Sequence, residues 1–224
     1  MYIHKQTISV YNSSKPYHRV KLMVVGEGKK GKTHLLYSLT KKGKFKHDDL
    51  SISMGSDSAP EATVGVDIKH WKYAPRNKSK ITFMIWDFGG PEEYYAIHQC
   101  FLSKRSLYLL VWNVQDGEAG VRGLKTWLEN IEAHAPKSSV IIVGTQMNIS
   151  NDLQRGRVKG RFTRIINELY VNYSHSAYQY PRIKRVEFIY NQDDVDRLRD
   201  LIYDFASKYQ FGGKKIVQSY NCTE

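Results

Sequence analysis

The chain has 224 residues, of which 41% are hydrophobic, and it contains 34 Lys and Arg residues against 22 Asp and Glu residues, which gives a formal net charge of +12. This length suits one α/β domain, and the apolar fraction excludes a disordered composition. The longest apolar runs have the length of a strand, so the sequence predicts no membrane-spanning helix, no signal peptide and a cytoplasmic location. Its two cysteines, Cys100 and Cys222, are too few for a disulfide framework or a cysteine metal site.

The excess of Lys and Arg is compatible with an acidic partner, anionic lipid or nucleic acid. No aromatic-interleaved RNA motif accompanies it, which argues against nucleic-acid binding. We interpret the charge of one predicted helix as a solvated face, with docking onto a partner domain or an acidic surface, including peripheral membrane contact, as the alternative. That helix carries Arg155, Arg157, Lys159, Arg161 and Arg164.

In chain order, residues 1–17 are polar and predict an N-terminal arm, residues 18–210 predict the domain, and residues 211–224 predict a C-terminal tail. Apolar runs predict strands at 19–25, 66–73, 81–87, 106–114, 138–144 and 185–190. Apolar residues spaced three or four apart predict helices around 35–39, 121–131, 162–169 and 195–205. The second and third strands are close enough to form a hairpin, and residues 43–62 form a long polar loop.

Strands that alternate with helices predict an α/β fold with a mostly parallel six-stranded sheet, one antiparallel hairpin strand and helices on both faces. In such sheets, ligands bind outside the carboxyl ends of the strands. The four sequence motifs described next all lie at predicted strand ends. We therefore expect them to form one site. The four tryptophans, in contrast, are interpreted as core or interface anchors.

The segment GEGKKGKT fits the phosphate-loop pattern G-x-x-x-x-G-K-[ST], and it has the required context of a strand before it and a helix after it. Glycines let the backbone curl so that its N–H groups face phosphate oxygens, and the helix N-terminus adds a positive dipole end. Lys32 is expected to reach the β- and γ-phosphates, and the Thr33 hydroxyl to bind Mg²⁺. The residues expected to contact nucleotide here are Gly26, Gly28, Lys30, Gly31, Lys32, Thr33 and His34.

Two further segments provide candidate residues for the metal and the γ-phosphate. Asp87, in the sequence WDFGG, ends a strand and is the expected partner of Thr33 at the metal, while the Gly90 N–H could face a γ-phosphate. Thr63 lies at the end of the long loop, where a hydroxyl could complete the Mg²⁺ shell, although it could also simply open a strand. Lys32, Thr63 and Gly90 are the candidate catalytic residues, and Thr33, Thr63 and Asp87 are the candidate metal ligands.

Together these elements resemble the Roc domain, the Ras-like GTPase of Roco proteins, and most closely the type found in leucine-rich-repeat kinases. The resemblance spans about residues 18–210, and it rests on ATVGVDIKHW, WDFGGPEEYY, LYLLVWNV and TWLENIEAHAP. It implies a Ras-like P-loop fold, GTP and GDP binding, Mg²⁺, a first switch around Thr63 and a second from Asp87 onward. It also implies a neighbouring COR region and often a kinase domain, or a second Roc domain, as partners.

The resemblance also assigns the segment after the fifth strand, which contains Thr145, Gln146 and Asn148, to reading the base. Ras-like proteins have Asn-Lys-x-Asp there, and Roc domains of this type have Thr-His-x-Asp. Asn148 replaces the aspartate with one acceptor and one donor, which should weaken guanine binding by about 1.5–3 kcal/mol, or about 10- to 100-fold. The donor would suit xanthine.

Residue 91 is the second departure, because Ras-like proteins often have there the glutamine that orients water. Pro91 has neither a polar side chain nor an N–H, so it cannot orient water; His98 could assist, or it could be an ordinary surface histidine. Two functions follow. One is a slow GTPase that acts as a conformational switch for neighbouring domains. The alternative is a nucleotide-binding scaffold or dimerisation module with little or no hydrolysis and relaxed base specificity.

Overall fold

The computed structural model describes residues 19–41, 65–89, 100–171 and 182–208. Six strands form one sheet: β1 (Arg19–Val25), β2 (Val66–Tyr73), β3 (Ile81–Phe88), β4 (Ser106–Asn113), β5 (Ser139–Thr145) and β6 (Arg182–Phe188). The helices are α1 (Lys32–Thr40), α2 (Gly117–His134), α3 (Asp152–Ile166) and α4 (Gln192–Lys208). A short 3-10 turn, Val114–Asp116, precedes α2, and a π-helical turn, Asn167–Val171, follows α3.

The strand order in the sheet is β2-β3-β1-β4-β5-β6. Only the β2–β3 pair is antiparallel, and the other four pairs are parallel. The predicted fold class is therefore confirmed, including the hairpin strand at the edge. The central strands β4 and β5 are buried almost throughout, as expected for parallel strands covered on both faces.

Two apolar cores lie on opposite faces of the sheet. On one face, α1 and α4 pack against alternate residues of the central strands, and this core includes Leu36, Phe83 and Ile202. On the other face, α2 and α3 pack against the remaining residues, including Tyr108 and Leu128. Trp71, Trp112 and Trp127 are buried within these cores, which supports their interpretation as anchors.

The last strand and the basic helix begin earlier than the sequence predicts. β6 begins at Arg182 rather than 185, because charged residues mask its periodicity in the sequence. Its pairing with β5 also shifts register between Val140 and Ile141. Helix α3 begins at Asp152, and the Asn151 side chain accepts hydrogen bonds from the N–H groups of its first turn. Its first half is mostly exposed and therefore lacks the apolar periodicity that marks a helix in sequence.

Candidate functional site

The GEGKKGKT loop leaves the carboxyl end of β1 and enters α1, with its backbone in unusual conformations. Gly26, Lys29 and Gly31 have φ angles of 138°, 60° and 83°. A Cβ atom on Gly26 would lie 2.2 Å from the Val111 carbonyl oxygen, so a side chain there would collide with β4. Glycine is therefore required at residue 26 both by backbone conformation and by the close approach of a neighbouring strand.

Lys32 lies inside this loop and is 6% exposed. Its Nζ donates hydrogen bonds to the Gly26 and Glu27 carbonyl oxygens at 2.8 and 2.7 Å. Burial lowers its pKa to about 8, against the opposing effect of the Asp87 and Glu27 carboxylates. The ammonium group thus lies across the curled backbone, where an oxyanion would meet it together with the loop N–H groups.

Thr33 and Asp87 meet although 54 residues separate them in sequence. The Thr33 hydroxyl donates to Asp87 Oδ2 at 2.8 Å. Asp87 is 1% exposed, and burial raises its pKa. Its Oδ1 atom has no hydrogen-bond partner within the described residues. An unpaired, buried carboxylate oxygen beside a hydroxyl is a donor set that fits Mg²⁺ or its bound water.

The loop after β5 is tied to the phosphate loop by Thr145. Its hydroxyl donates to the Lys30 carbonyl oxygen at 2.7 Å and also lies 3.1 Å from the Trp112 carbonyl oxygen. Gln146 follows with a φ of 56°, and its Oε1 accepts a hydrogen bond from Asn113 Nδ2 at 2.6 Å. Asn113, at the end of β4, was not predicted as a site residue, because a polar strand end by itself carries no functional signal.

Asn148 lies at the open side of this loop and is exposed. The turn is fixed by its backbone N–H, which donates to the Gln146 carbonyl oxygen at 3.0 Å, and by Met147, which is 2% exposed. The structure therefore places Thr145 and Gln146 next to the phosphate loop, where a Cβ atom on Gly31 would lie 3.4 Å from the Thr145 hydroxyl oxygen and 3.9 Å from Gln146 Nε2. Asn148 follows them as an exposed residue of the same loop, and its role in reading the base stays a prediction.

Lys30 is one of the residues expected to contact nucleotide, and its side chain forms ion pairs within the protein. Its Nζ pairs with Asp116 at 2.8 Å and with Glu27 at 3.3 Å. These pairs connect the phosphate loop to the start of α2. The part of Lys30 that remains suited to nucleotide binding is its main chain. Gly28 and His34 lie in the loop and in the first turn of α1, and both are half-buried.

Arg155 corrects the interpretation of the α3 charges as a solvated face. Its side chain is only 15% exposed, whereas Arg157, Arg161 and Arg164 of the same run are exposed. Lys159 is half-buried and lies 3.5 Å from Asp194. The sequence could not separate Arg155 from the other basic residues, because the groups it contacts belong to two different loops.

Several predicted residues lie outside the described residues. They are Thr63, Gly90, Pro91, His98 and Cys222, together with the arm 1–17, the loop 43–62 and the tail 211–224. Their roles stay predictions. Within the described residues, no group of three or more His, Cys, Asp or Glu side chains could form a metal site from protein ligands alone. A metal at Thr33 and Asp87 would therefore need further ligands, such as phosphate oxygens or water.

Comparisons with known proteins identify the family of this chain. A family model described as Ras of Complex, Roc, domain of DAPkinase matches residues 21–148, from β1 to Asn148. The chain belongs to the Roc family. The predicted resemblance is thus confirmed, and the Ras-like architecture and P-loop are those of a Roc domain.

Individual relatives align with this Roc domain over nearly all of its length. Leucine-rich repeat serine/threonine-protein kinase 1 of Caenorhabditis elegans is 31% identical over 94% of this chain and 9% of that protein. Probable serine/threonine-protein kinase pats1 of Dictyostelium discoideum is 32% identical over 92% of this chain and 6% of that protein. The chain thus spans less than a tenth of either relative.

A solved structure of the Roco2 RocCORdC fragment from Methanosarcina barkeri, bound to GDP, is similar to the Roc domain with a TM-score of 0.56 and 27% identity. The similarity covers 88% of this chain and 51% of that one. It confirms the fold class independently of the family model. Within the described residues, none of the helices is both long and apolar enough to cross a membrane.

Proposed function

We propose that this Roc domain binds Mg²⁺ and guanine nucleotide, hydrolyses GTP slowly, and acts as a conformational switch for COR and kinase regions of a longer Roco protein. The carrying observation is the contact of Thr33 with Asp87 at 2.8 Å beside the buried Lys32. It brings a hydroxyl, a carboxylate and an ammonium group to one end of the phosphate loop. The GDP named for the Roco2 structure and the kinase names of the relatives support the choice of ligand and neighbours.

In this proposal, the main chain of Gly26, Gly28, Lys30 and Gly31 and the start of α1 at His34 bind the phosphates, and Lys32 offsets their charge. Thr33 and Asp87 bind the metal, which supplies charge neutralisation at the phosphate oxygens when bound. Water attacks the γ-phosphorus while the bond to the β–γ bridging oxygen breaks, and GDP and phosphate leave. Thr63 and Gly90 contact the γ-phosphate, so its loss releases both segments.

Single-turnover release of phosphate from bound GTP tests the enzymatic part. We expect slow release that requires Mg²⁺, and its loss in Lys32→Ala because the charge inside the loop is removed. Lys29→Ala is the matched control, since Lys29 is an exposed lysine of the same loop. Absence of release over hours, or release that survives Lys32→Ala, would overturn the GTPase proposal.

A specific observation favours the second candidate, a nucleotide-binding scaffold with relaxed base specificity. The exposed residue at the base position is Asn148, an amide that cannot accept hydrogen bonds with the strength of a carboxylate. Pro91 also cannot orient water. Binding of GDP without phosphate release would support this candidate.

The base preference is tested by Asn148→Asp. We expect this variant to bind GDP about 10- to 100-fold more tightly, because a charged acceptor replaces the amide. Affinity for XDP should fall in the same variant, since the donor that suits a second carbonyl is lost. If the affinity for GDP is unchanged, Asn148 does not limit base recognition.

A further inference from the structure

We propose that Arg155 is a positioning residue of the base pocket, which sets the affinity for the guanine base by joining the loop after β5 to the loop after β6. The inference rests on the proposed nucleotide function and extends it to a residue outside the family motifs. Arg155 lies in the first turn of α3, seven residues after the Asn148 position that is expected to face the base.

Arg155 contacts the first of these loops through its guanidinium group. Its Nη1 donates to the Ile149 carbonyl oxygen at 2.8 Å and to the Ser150 carbonyl oxygen at 3.1 Å. An ion pair with Asp152 orients the same group. The two carbonyls follow Asn148 directly, so Arg155 holds the C-terminal end of the base loop, while Thr145 holds its N-terminal end on the phosphate loop.

The flat face of the guanidinium group packs against the loop after β6. Arg155 Cζ lies 3.7 Å from the centroid of the Tyr190 ring, a cation–π contact. Tyr190 is itself fixed, because Asp194 Oδ2 accepts hydrogen bonds from the Tyr190 and Asn191 N–H groups at 2.9 and 3.2 Å. Arg155 therefore joins the base loop to a rigid turn rather than to a loose one.

The sheet topology explains why one residue can reach both loops. β5 and β6 are parallel neighbours, and the Ile189 N–H donates to the Gly144 carbonyl oxygen at 2.9 Å just before the loops diverge. Both loops start at the carboxyl ends of these strands, and the base-reading segment lies on the loop after β5. A guanidinium group suits the space between the two loops, because it donates hydrogen bonds in its plane and stacks through its face, whereas a lysine ammonium group is a single point charge.

This placement matters because Asn148 lacks the charge that would favour guanine strongly. A neutral amide contributes to affinity only when its direction is fixed, since a hydrogen bond weakens steeply with misalignment. Release of the loop in an Arg155 variant should therefore loosen the base contact and leave the phosphate contacts in place. The expected signature is faster GDP dissociation with a smaller preference for GDP over ADP.

The test uses the full chain, fluorescent GDP and competing GDP, XDP and ADP in the presence of Mg²⁺. We expect Arg155→Met to accelerate GDP dissociation about tenfold and to reduce the GDP-to-ADP affinity ratio by a similar factor, with Arg155→Lys intermediate. Arg157→Met is the matched control and should behave as the wild type, because Arg157 is an exposed arginine two residues further along the same helix. Thermal unfolding without nucleotide checks that each variant is folded.

Tyr190 provides a second variant that leaves Arg155 in place. Tyr190→Leu should reproduce the loss of base preference, whereas Tyr190→Phe retains the ring and should preserve it. In the Arg155→Met and Tyr190→Leu double variant, the effects should be clearly less than multiplicative, because both remove one contact. These variants keep the inference testable if Arg155→Met fails to fold.

The outcomes separate the two proposals. If the wild type binds GDP and the Arg155 and Tyr190→Leu variants match Arg157→Met, the positioning role is wrong and the nucleotide function stands. An equal loss of GDP and ADP affinity would also overturn the inference, because it would indicate a general effect on the loop and phosphate site. If the wild type binds no nucleotide, both proposals fail.

Discussion

At the scale of single residues, Gly26 determines how closely the phosphate loop approaches β4. Any side chain at this position would meet the Val111 carbonyl oxygen at 2.2 Å, and the φ of 138° is unfavourable for other residues. The conformation and the contact act together, so neither relaxation of the loop nor a rotamer change removes the conflict. The loop geometry is therefore linked to the position of a strand that follows it by about eighty residues in sequence.

We expect Gly26→Ala to lower the free energy of unfolding by about 2–4 kcal/mol through backbone strain and overpacking. Denaturant unfolding monitored by circular dichroism measures this change. Gly156→Ala is the control, because Gly156 lies within α3 with open space around it, and alanine there should stabilise by about 0.5–1 kcal/mol. A Gly26→Ala protein as stable as the wild type would show that the loop does not approach β4 this closely.

Lys30 and Lys32 provide a second prediction at this scale, because two neighbouring lysines have different partners. The Lys30 ammonium group is held by Asp116 and Glu27 rather than left for the phosphates, so Lys30→Met should change GDP affinity by less than about threefold. Lys32→Met should weaken it about 100-fold or more, since a charge inside the phosphate site is lost. Calorimetric titration with Mg²⁺ and GDP compares them, and similar losses in both variants would contradict the assignment.

At the scale of elements, the C-terminus of α1 is completed by a residue of α4. The last carbonyls of a helix lack partners within it. Arg199 donates to the carbonyl oxygens of Ser38, Leu39 and Lys41 at 2.5, 2.9 and 2.7 Å. Because α1 begins at the phosphate loop, this contact ties the nucleotide helix to the last helix of the domain.

We expect Arg199→Met to lower the free energy of unfolding by about 1.5–3 kcal/mol, because charge-assisted hydrogen bonds are lost. Hydrogen exchange should accelerate most for the amides in the last turn of α1. Lys208→Met is the control on the same helix, since Lys208 is an exposed basic residue of its last turn. Equal effects of the two substitutions would indicate that the carbonyl contacts do not stabilise α1.

At the scale of the whole molecule, α4 also connects the β2–β3 hairpin to the rest of the fold. Tyr203 donates to the Ser79 carbonyl oxygen at 2.7 Å, and Tyr73 donates to Asp200 Oδ1 at 2.7 Å. The β2–β3 hairpin and the last helix are thus joined on the face of the sheet that α1 also covers. Ligand binding at α1 should therefore be measurable as stability of the complete domain.

We expect Mg²⁺ and GDP at about 100 times the dissociation constant to stabilise the domain by about 2.7 kcal/mol, by mass action on the folded state. Removal of Mg²⁺ with EDTA should lower the unfolding temperature of the GDP-bound wild type. Thr33→Val should lose most of this EDTA-sensitive increase in unfolding temperature. Thr40→Val should keep it, because the Thr40 hydroxyl only donates a hydrogen bond within α1. An EDTA effect unchanged in Thr33→Val would exclude Thr33 as a metal ligand.

The sequence by itself determined the order of the strands and helices, the sheet class and the position of the phosphate loop. These features depend on local periodicity and on short spacing between neighbours, which a single sequence displays directly. It also proposed that Thr33 and Asp87 act together, and the structure brings them within 2.8 Å. Even the departures at Asn148 and Pro91 are visible without coordinates, because they concern residue types at motif positions.

Apart from Thr33 and Asp87, only the tertiary structure decided which polar groups are partners of one another. The pairing of Lys30 with Asp116, the contact of Asn113 with Gln146 and the cap that Arg199 provides all join residues far apart in sequence. The same applies to Arg155, whose role depends on two loops brought together by parallel pairing of β5 and β6. The physical reason is that the fold determines which distant groups come within reach of a polar or charged side chain, and the spacing of residues in the sequence does not indicate these contacts.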